Sequence, residues 1–64
     1  MKNVGAVIRA ARQKRKLSLR EAARLSEVSA ATLSKLEAGA INPTLATMQA
    51  LTRALGIKPA EWFD

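Results

Sequence analysis

The apolar residues of this 64-residue chain recur at spacings of three and four, with polar residues between them. Over the segment from about Val4 to Lys14, Val4, Ile8 and Ala11 repeat in this way, and the basic residues fall mostly on the other faces. Such a period is typical of an amphipathic helix that buries one stripe of side chains. The sequence therefore predicts a first helix over this segment.

Two serines mark the starts of the second and third helices. Ser18 opens the tetrapeptide Ser-Leu-Arg-Glu, a capping box in which the Ser18 hydroxyl accepts from the amide of Glu21 and the Glu21 carboxylate accepts from the amide of Ser18. We expect this helix to end near Ser26. Ser29 caps a third helix, AATLSKLEA, and Gly39 is expected to end it in the left-handed conformation.

The third predicted helix has one apolar face and one open face. Leu33 and Leu36 point one way, towards a core. The other face carries Ala31, Ser34, Lys35 and Ala38. The sequence therefore predicts that this helix presents small and polar side chains away from the core.

Two more helices follow. Thr44 caps a fourth helix whose apolar positions run from Leu45 to Leu55, and Gly56 is its stop. A short fifth helix, Pro59–Phe63, has its proline at the first position, where a missing amide proton costs nothing. No segment shows the alternation of a strand, so the sequence predicts an all-α fold of five short helices.

Length and composition narrow the classes of function. The chain is long enough for one domain, residues 1–64. It has no cysteine and no histidine, and so lacks thiolate metal ligands, disulfides and the usual general base. With only five scattered acidic residues and no glycine-rich loop, we expect no enzymatic activity, no metal, no cofactor and no small-molecule substrate. No apolar run approaches the roughly 20 residues that span a bilayer.

Positive charge is concentrated in the N-terminal part of the chain. Residues 1–24 contain eight basic residues and one acidic residue, a net charge of +7, whereas residues 25–64 contain three basic and four acidic residues, a net charge of −1. A polyanion binds such a segment through the release of counterions. A solubilising surface and acidic lipid are the other interpretations, but the first helix carries mainly valine and alanine opposite its charges, which suits a membrane surface poorly.

Two short capped helices around the sequence Ser-Glu-Val-Ser have the size and spacing of a helix-turn-helix. From about Val4 to Phe63, the chain resembles the lambda-repressor and Cro-like (XRE-type) helix-turn-helix family. The resemblance depends on the order and spacing of short motifs, which are Arg9-x-x-Arg12, Leu17-Ser18, Ala23, Val28-Ser29, Leu33-Ser34, Leu36-Glu37-x-Gly39, Asn42-Pro43 and Ala54-Leu55-Gly56.

This resemblance implies a lambda-repressor-like fold in which the second and third helices form the DNA-binding unit and the fifth closes the core. It implies an ion pair between Arg12 and Glu37. It places the third helix in the major groove, with candidate base contacts from Ala30, Ala31, Thr32, Ser34 and Lys35. Candidate phosphate contacts come from the basic surface and from two helix starts, and they are Arg9, Lys14, Arg15, Lys16, Ser18, Arg20 and Ser29.

Three positions outside the third helix depart from the family's pattern. Leu19 stands where the family often has a glutamine that bonds to the DNA backbone, and we expect it to pack on a neighbouring helix or lie half exposed. Ala40 stands where a basic residue is frequent. Glu27 occupies the turn where the family prefers glycine, and since a left-handed glutamate costs about 1 kcal/mol or more, we expect the turn to differ locally.

The two positions best placed to read bases, Ala30 and Ala31, have no side-chain hydrogen-bonding group. Alanine can still contact the methyl group of thymine, whereas a bidentate polar contact would add about 1–3 kcal/mol of discrimination. We therefore expect methyl or shape recognition at these two positions. Thr32 and Lys35 then carry more of the base discrimination.

The resulting hypothesis is a sequence-specific regulator of transcription that binds double-stranded DNA, expected to be a repressor. It is expected to act as a homodimer on a palindromic operator, in the cytoplasm of a prokaryote, or to be encoded by a phage or plasmid. Trp62 and Phe63, the only aromatic residues, are candidate dimer contacts, with closure of the core as the alternative. A second hypothesis is an antitoxin-like or antirepressor-like interaction module with weak or lost DNA specificity. The alanines of the third helix favour it, and the charge of residues 1–24 argues against it.

Overall fold

A computed structural model describes residues 3–63. These residues form five helices and no strand, with the helices α1 (Val4–Lys14), α2 (Leu19–Ser26), α3 (Ala30–Glu37), α4 (Leu45–Leu55) and α5 (Pro59–Trp62). The predicted all-α class is confirmed. The third and fifth helices each end one residue earlier than the sequence suggested.

Side-chain caps begin the four longer helices. The Ser18 hydroxyl accepts from the amide of Glu21 at 3.0 Å, and Oε1 of Glu21 accepts from the amide of Ser18 at 2.8 Å, which confirms the predicted capping box. Ser29 and Thr44 each accept from the amide three residues ahead, both at 3.1 Å. Asn3 caps α1 in the same way at 3.2 Å. Each cap satisfies an amide that has no partner within its helix.

Among residues 3–63, four adopt the left-handed conformation near helix ends. Gly39 and Gly56 do so as expected, with φ of +77° and +66°. Lys16 and Glu27 have φ of +57° and +59°, at a cost of about 1 kcal/mol or more for a residue with a side chain. The expected local difference at Glu27 was therefore wrong, since the turn keeps the left-handed geometry and the glutamate adopts it.

The helices surround one hydrophobic core. Its largest fully buried side chains are those of Ile8, Leu33, Leu36, Leu51 and Ile57. Ile57 lies in the loop between α4 and α5, outside the periodic segments, so helical spacing gives no signal for it. Because α3 packs against α1 and α2 through its buried leucines, its opposite side is left open.

The two aromatic residues have different environments. Trp62 is 3% exposed, and its Nε1 donates to the hydroxyl of Thr52 at 2.7 Å. Phe63 is 59% exposed. Leu45, which the apolar spacing placed on the buried face of the fourth helix, is instead 72% exposed. Trp62 therefore closes the core, while Phe63 and Leu45 lie on the surface.

Helices α1 and α3 approach closely at Gly5. A Cβ atom at this position would lie 2.6 Å from the carbonyl oxygens of both Leu36 and Glu37. Only a residue without a side chain fits at this distance. The first turn of α1 thus lies against the C-terminal end of α3 and helps to fix where α3 sits.

Candidate nucleic-acid interface

The turn between α2 and α3 has a fixed geometry. It consists of Glu27–Ser29, with Glu27 left-handed and Val28 packed against the core. The amide of Val28 donates to the carbonyl of Ala23 at 3.1 Å, and the buried hydroxyl of Ser26 donates to the carbonyl of Ala22 at 2.7 Å. These bonds satisfy the polar groups at the end of α2. Because α2 and α3 also pack against each other, the two helices and the turn form one unit.

One side of α3 is exposed along its whole length. Leu33 and Leu36 are 0% and 2% exposed, and a helix of 3.6 residues per turn places the positions opposite them on one stripe. We call this stripe the outward face of α3, and its exposed residues are Ala31, Ser34 and Lys35 of the helix and Ala38, the C-cap residue that directly follows it. Three of the five candidate base contacts lie on it together.

The other two candidates lie beside the outward face. Ala30 is half-buried and packs against the core. Thr32 is also half-buried, and its Oγ1 accepts a hydrogen bond from the Ser29 hydroxyl at 2.8 Å. Ala38 lies on the outward face although it is not one of the five candidates, because it follows Ala31 by seven residues, which is two helical turns. The spacing along the sequence already indicates this position for Ala38.

The candidate phosphate contacts are all exposed. They are the basic residues Arg9, Lys14, Arg15, Lys16 and Arg20 and the two capping serines, Ser18 and Ser29. Among them, Arg15 has a distinct environment, because its Nη2 lies 2.5 Å from where a Cβ of Gly56 would stand, near the end of α4. Lys2, which contributes to the charge of residues 1–24, lies outside the described residues.

Arg12 differs from the other basic residues of α1. Its side chain is 15% exposed and that of Glu37 is 9% exposed, and Nε of Arg12 donates to Oε2 of Glu37 at 2.7 Å. The hydrogen bond that Arg12 donates to the Glu37 carboxylate raises the pKa of Arg12 above its ordinary value. Arg12 is therefore a charged cross-link between α1 and the end of α3, and its charge is not free to meet a phosphate.

Within residues 3–63, no group of acidic side chains is arranged to hold a metal ion. In the same range, no helix is long and apolar enough to cross a membrane.

Comparison with known proteins agrees with this geometry. A family model described as helix-turn-helix matches residues 8–62, which is most of the chain and includes α2, the turn and α3. No curated protein and no solved structure matches the chain significantly. The chain therefore belongs to the lambda-repressor/Cro-like (XRE-type) helix-turn-helix family, a family of DNA-binding regulators.

Proposed function

We propose that the protein is a sequence-specific regulator of transcription that inserts α3 into the major groove of double-stranded DNA. The observation that carries this proposal is the outward face of α3, which is exposed on a helix whose opposite side is fully buried. An α-helix fits the width of the major groove. The capped and bonded α2–turn–α3 unit supports a fixed angle of entry. The proposed activity is the binding of DNA, with no catalytic step.

The exposed basic residues supply the attraction to phosphate. Five basic side chains of residues 9–20 are exposed, whereas the sixth, Arg12, is paired with Glu37. Contacts to phosphate fix the register of a protein on DNA but do not read its sequence. We assign this role to Arg9, Lys14, Arg15, Lys16 and Arg20, with Ser18 and Ser29 at the starts of the two helices.

We propose repression as the regulatory outcome. A domain that occupies a stretch of DNA prevents other proteins from using the same site, so repression needs nothing beyond binding. We also propose that the protein acts in the cytoplasm, bound to DNA.

The exposed acidic residue of the turn, Glu27, carries a charge that phosphate repels. Affinity must therefore come from the exposed basic side chains of residues 9–20.

We further propose that two copies bind one palindromic operator as a homodimer. Phe63 and Leu45 are exposed and, together with Met48 and Trp62, line an open groove with a mostly apolar surface. A two-fold interface requires a patch that is complementary to itself. An exposed ring beside an apolar groove meets this requirement, because each copy can place its Phe63 in the groove of the other. Half-sites would then lie about 34–36 Å apart.

Binding to a labelled duplex of random sequence tests the proposal first. We expect complex formation at micromolar protein in low salt, and a log–log salt slope of about −3.6 to −5.4, which corresponds to about four to six phosphate contacts. The variant Arg9→Gln should reduce the slope, and Lys58→Gln, which alters an exposed basic residue of the C-terminal part, is the matched control. A flat salt dependence contradicts the proposal. No binding at all favours the interaction module.

Selection of bound duplexes from a random pool tests sequence specificity and symmetry. A palindromic consensus supports the homodimer, and Phe63→Ser should then weaken binding to the full palindrome much more than to a single half-site. Equal losses on both duplexes would place Phe63 outside the interface. No enrichment from the pool would remove sequence specificity from the proposal.

A further inference from the structure

The outward face of α3 offers very little hydrogen-bonding chemistry. Its exposed side chains are one ammonium group, one hydroxyl and two methyl groups, from Lys35, Ser34, Ala31 and Ala38 respectively. Thr32, the remaining polar candidate, is half-buried with its oxygen already bonded to Ser29. No amide or guanidinium group on this face can form the bidentate contacts that distinguish adenine or guanine most strongly.

The major groove presents one apolar group, the methyl on C5 of thymine. Two exposed alanines on the outward face have no other favourable partner there. Their methyl groups can exclude water from a C5-methyl group, and the small side chains let the helix backbone come close to the bases. Lys35, which lies between the two alanines along the helix, suits the O6 and N7 acceptors of guanine.

We propose that the outward face recognises a guanine flanked by pyrimidines that carry a C5-methyl group. Lys35 contacts the guanine, and Ala31 and Ala38 contact the methyl groups. This inference rests on the proposed function, since it presupposes that α3 enters the major groove. It adds the chemical class of operator that α3 selects.

Helix geometry sets the spacing of these contacts. Ala31 and Lys35 are four residues apart, about 6 Å along the helix axis, and Ala31 and Ala38 are about 10.5 Å apart. With base pairs about 3.4 Å apart, the whole face covers about three base-pair steps. The guanine and each methyl group are therefore expected within about two base pairs of one another.

Alanine has no atom that distinguishes thymine from 5-methylcytosine. The two bases differ at position 4, where thymine has an acceptor and cytosine a donor, but both carry the same methyl group on C5. The contact at Ala31 or Ala38 depends on that methyl alone. Methylation of cytosine at such a position therefore strengthens binding, and removal of the thymine methyl weakens it.

The test replaces single bases in a duplex recovered from the random pool. Exchange of thymine for deoxyuridine at the contacted positions should weaken binding about fourfold each, the factor expected for burial of one methyl group. Cytosine at the same positions should bind weakly, and 5-methylcytosine should recover most of the loss. Deoxyuridine outside the recognised base pairs serves as the control for general effects on the duplex.

Variants of the protein assign the contact to its residue. Ala31→Gly should abolish the effect of deoxyuridine at one position and leave the other intact, and Ala38→Gly should do the converse. Ala46→Gly is the matched control, because Ala46 is the exposed second residue of α4 as Ala31 is of α3. It should leave both effects unchanged.

The other outcomes each overturn a defined statement. Specific binding that ignores deoxyuridine removes the methyl contact and leaves the proposed function standing. A deoxyuridine effect that persists in both glycine variants assigns the methyl contact to other residues and overturns the role of these alanines. Failure to bind any duplex removes the proposed function and the inference together.

Discussion

Arg12 holds Glu37 with a two-point contact across the α1–α3 interface. Its Nε donates to Oε2 at 2.7 Å and its Nη2 donates to Oε1 at 3.0 Å, while Nη1 donates to the carbonyl of Leu17 at 2.9 Å. One side chain thus connects α1, the loop before α2 and the end of α3. The position of the outward face depends on how α3 is held. Because this contact holds the C-terminal end of α3, it positions the candidate interface without being part of it.

Replacement of Arg12 by Met should lower the free energy of unfolding by about 2–3 kcal/mol. The change leaves the carboxylate of Glu37 without its partner, and loss of one partner in a fully buried pair costs about 3–5 kcal/mol. The smaller value reflects the 15% exposure of Arg12. Urea denaturation of Arg12→Met, Glu37→Leu and the double variant measures the coupling. The double variant should lose less than the sum of the single losses, and strictly additive losses would show that the two residues do not stabilise each other.

Gly5→Ala should destabilise the protein although alanine is the better helix former. Alanine gains about 1 kcal/mol of helix propensity over glycine. Its Cβ would lie 2.6 Å from two backbone carbonyl oxygens, which have no free rotation to move away, and overpacking of this kind costs about 1–3 kcal/mol. Unfolding by urea should show a net loss. The exposed neighbour variant Ala6→Gly measures the propensity difference alone. A more stable Gly5→Ala would contradict the close approach of α1 and α3.

Local features of the fold follow from the sequence because neighbouring residues decide them. The serine caps, the capping box at Ser18 and the stops at Gly39 and Gly56 each involve residues within a few positions of one another. The left-handed Lys16 has no such signal, since lysine is not favoured there. Its conformation instead ends α1, because it lets the amide of Leu17 donate to the carbonyl of Arg12 at 3.1 Å.

Features that depend on distant contacts are less accessible from the sequence. The rotation of α3 about its axis decides that Ala30 packs inward and Ala31 outward, and it is fixed by the burial of Leu33 and Leu36 together. Trp62 is buried against α4, where its Nε1 donates to Thr52, ten positions away in the chain. Spacing along the chain gives the faces of a helix, but packing decides which of the flanking positions remain open.

Glu27→Gly should stabilise the protein by about 1 kcal/mol. Glu27 has a φ of +59°, where a side chain crowds the backbone and glycine does not. Thermal or urea unfolding should show the gain, whereas Glu27→Ala, which removes the carboxylate but keeps the Cβ, should not. Lys16→Gly tests the same effect at φ of +57° in a different loop. Equal gains for alanine and glycine at position 27 would instead attribute the effect to the charge.

The capping box should weaken as the pH falls below the ordinary pKa of a glutamate. The backbone hydrogen bond from Ser18, followed by that from its side chain, lowers the pKa of Glu21 from 4.5. A group with a lowered pKa in the folded state stabilises that state above its unfolded pKa, and the contribution is lost as the pH falls through the folded value. A titration of the Glu21 carboxyl by NMR should have a midpoint below 4.5. The Ser18 amide should shift with the same midpoint, and Glu21→Gln should remove that transition. A midpoint at or above 4.5 would show that the box does not favour the charged form.

Lys35 and Arg9 should contribute to DNA binding in different ways. On a selected duplex, Lys35→Ala should cost about 1–3 kcal/mol and relax the preference at one base pair, because Lys35 is the only charged residue of the outward face. Arg9→Ala should weaken binding to all sequences alike and reduce the magnitude of the salt slope by about 0.9. Fluorescence anisotropy with selected and random duplexes, each over a range of salt, separates the two effects. Ala31→Gly removes one methyl contact and should cost less on the selected duplex than Lys35→Ala does. If Ala31→Gly is the more damaging change, Lys35 is not the main base contact, and the alanines carry the recognition.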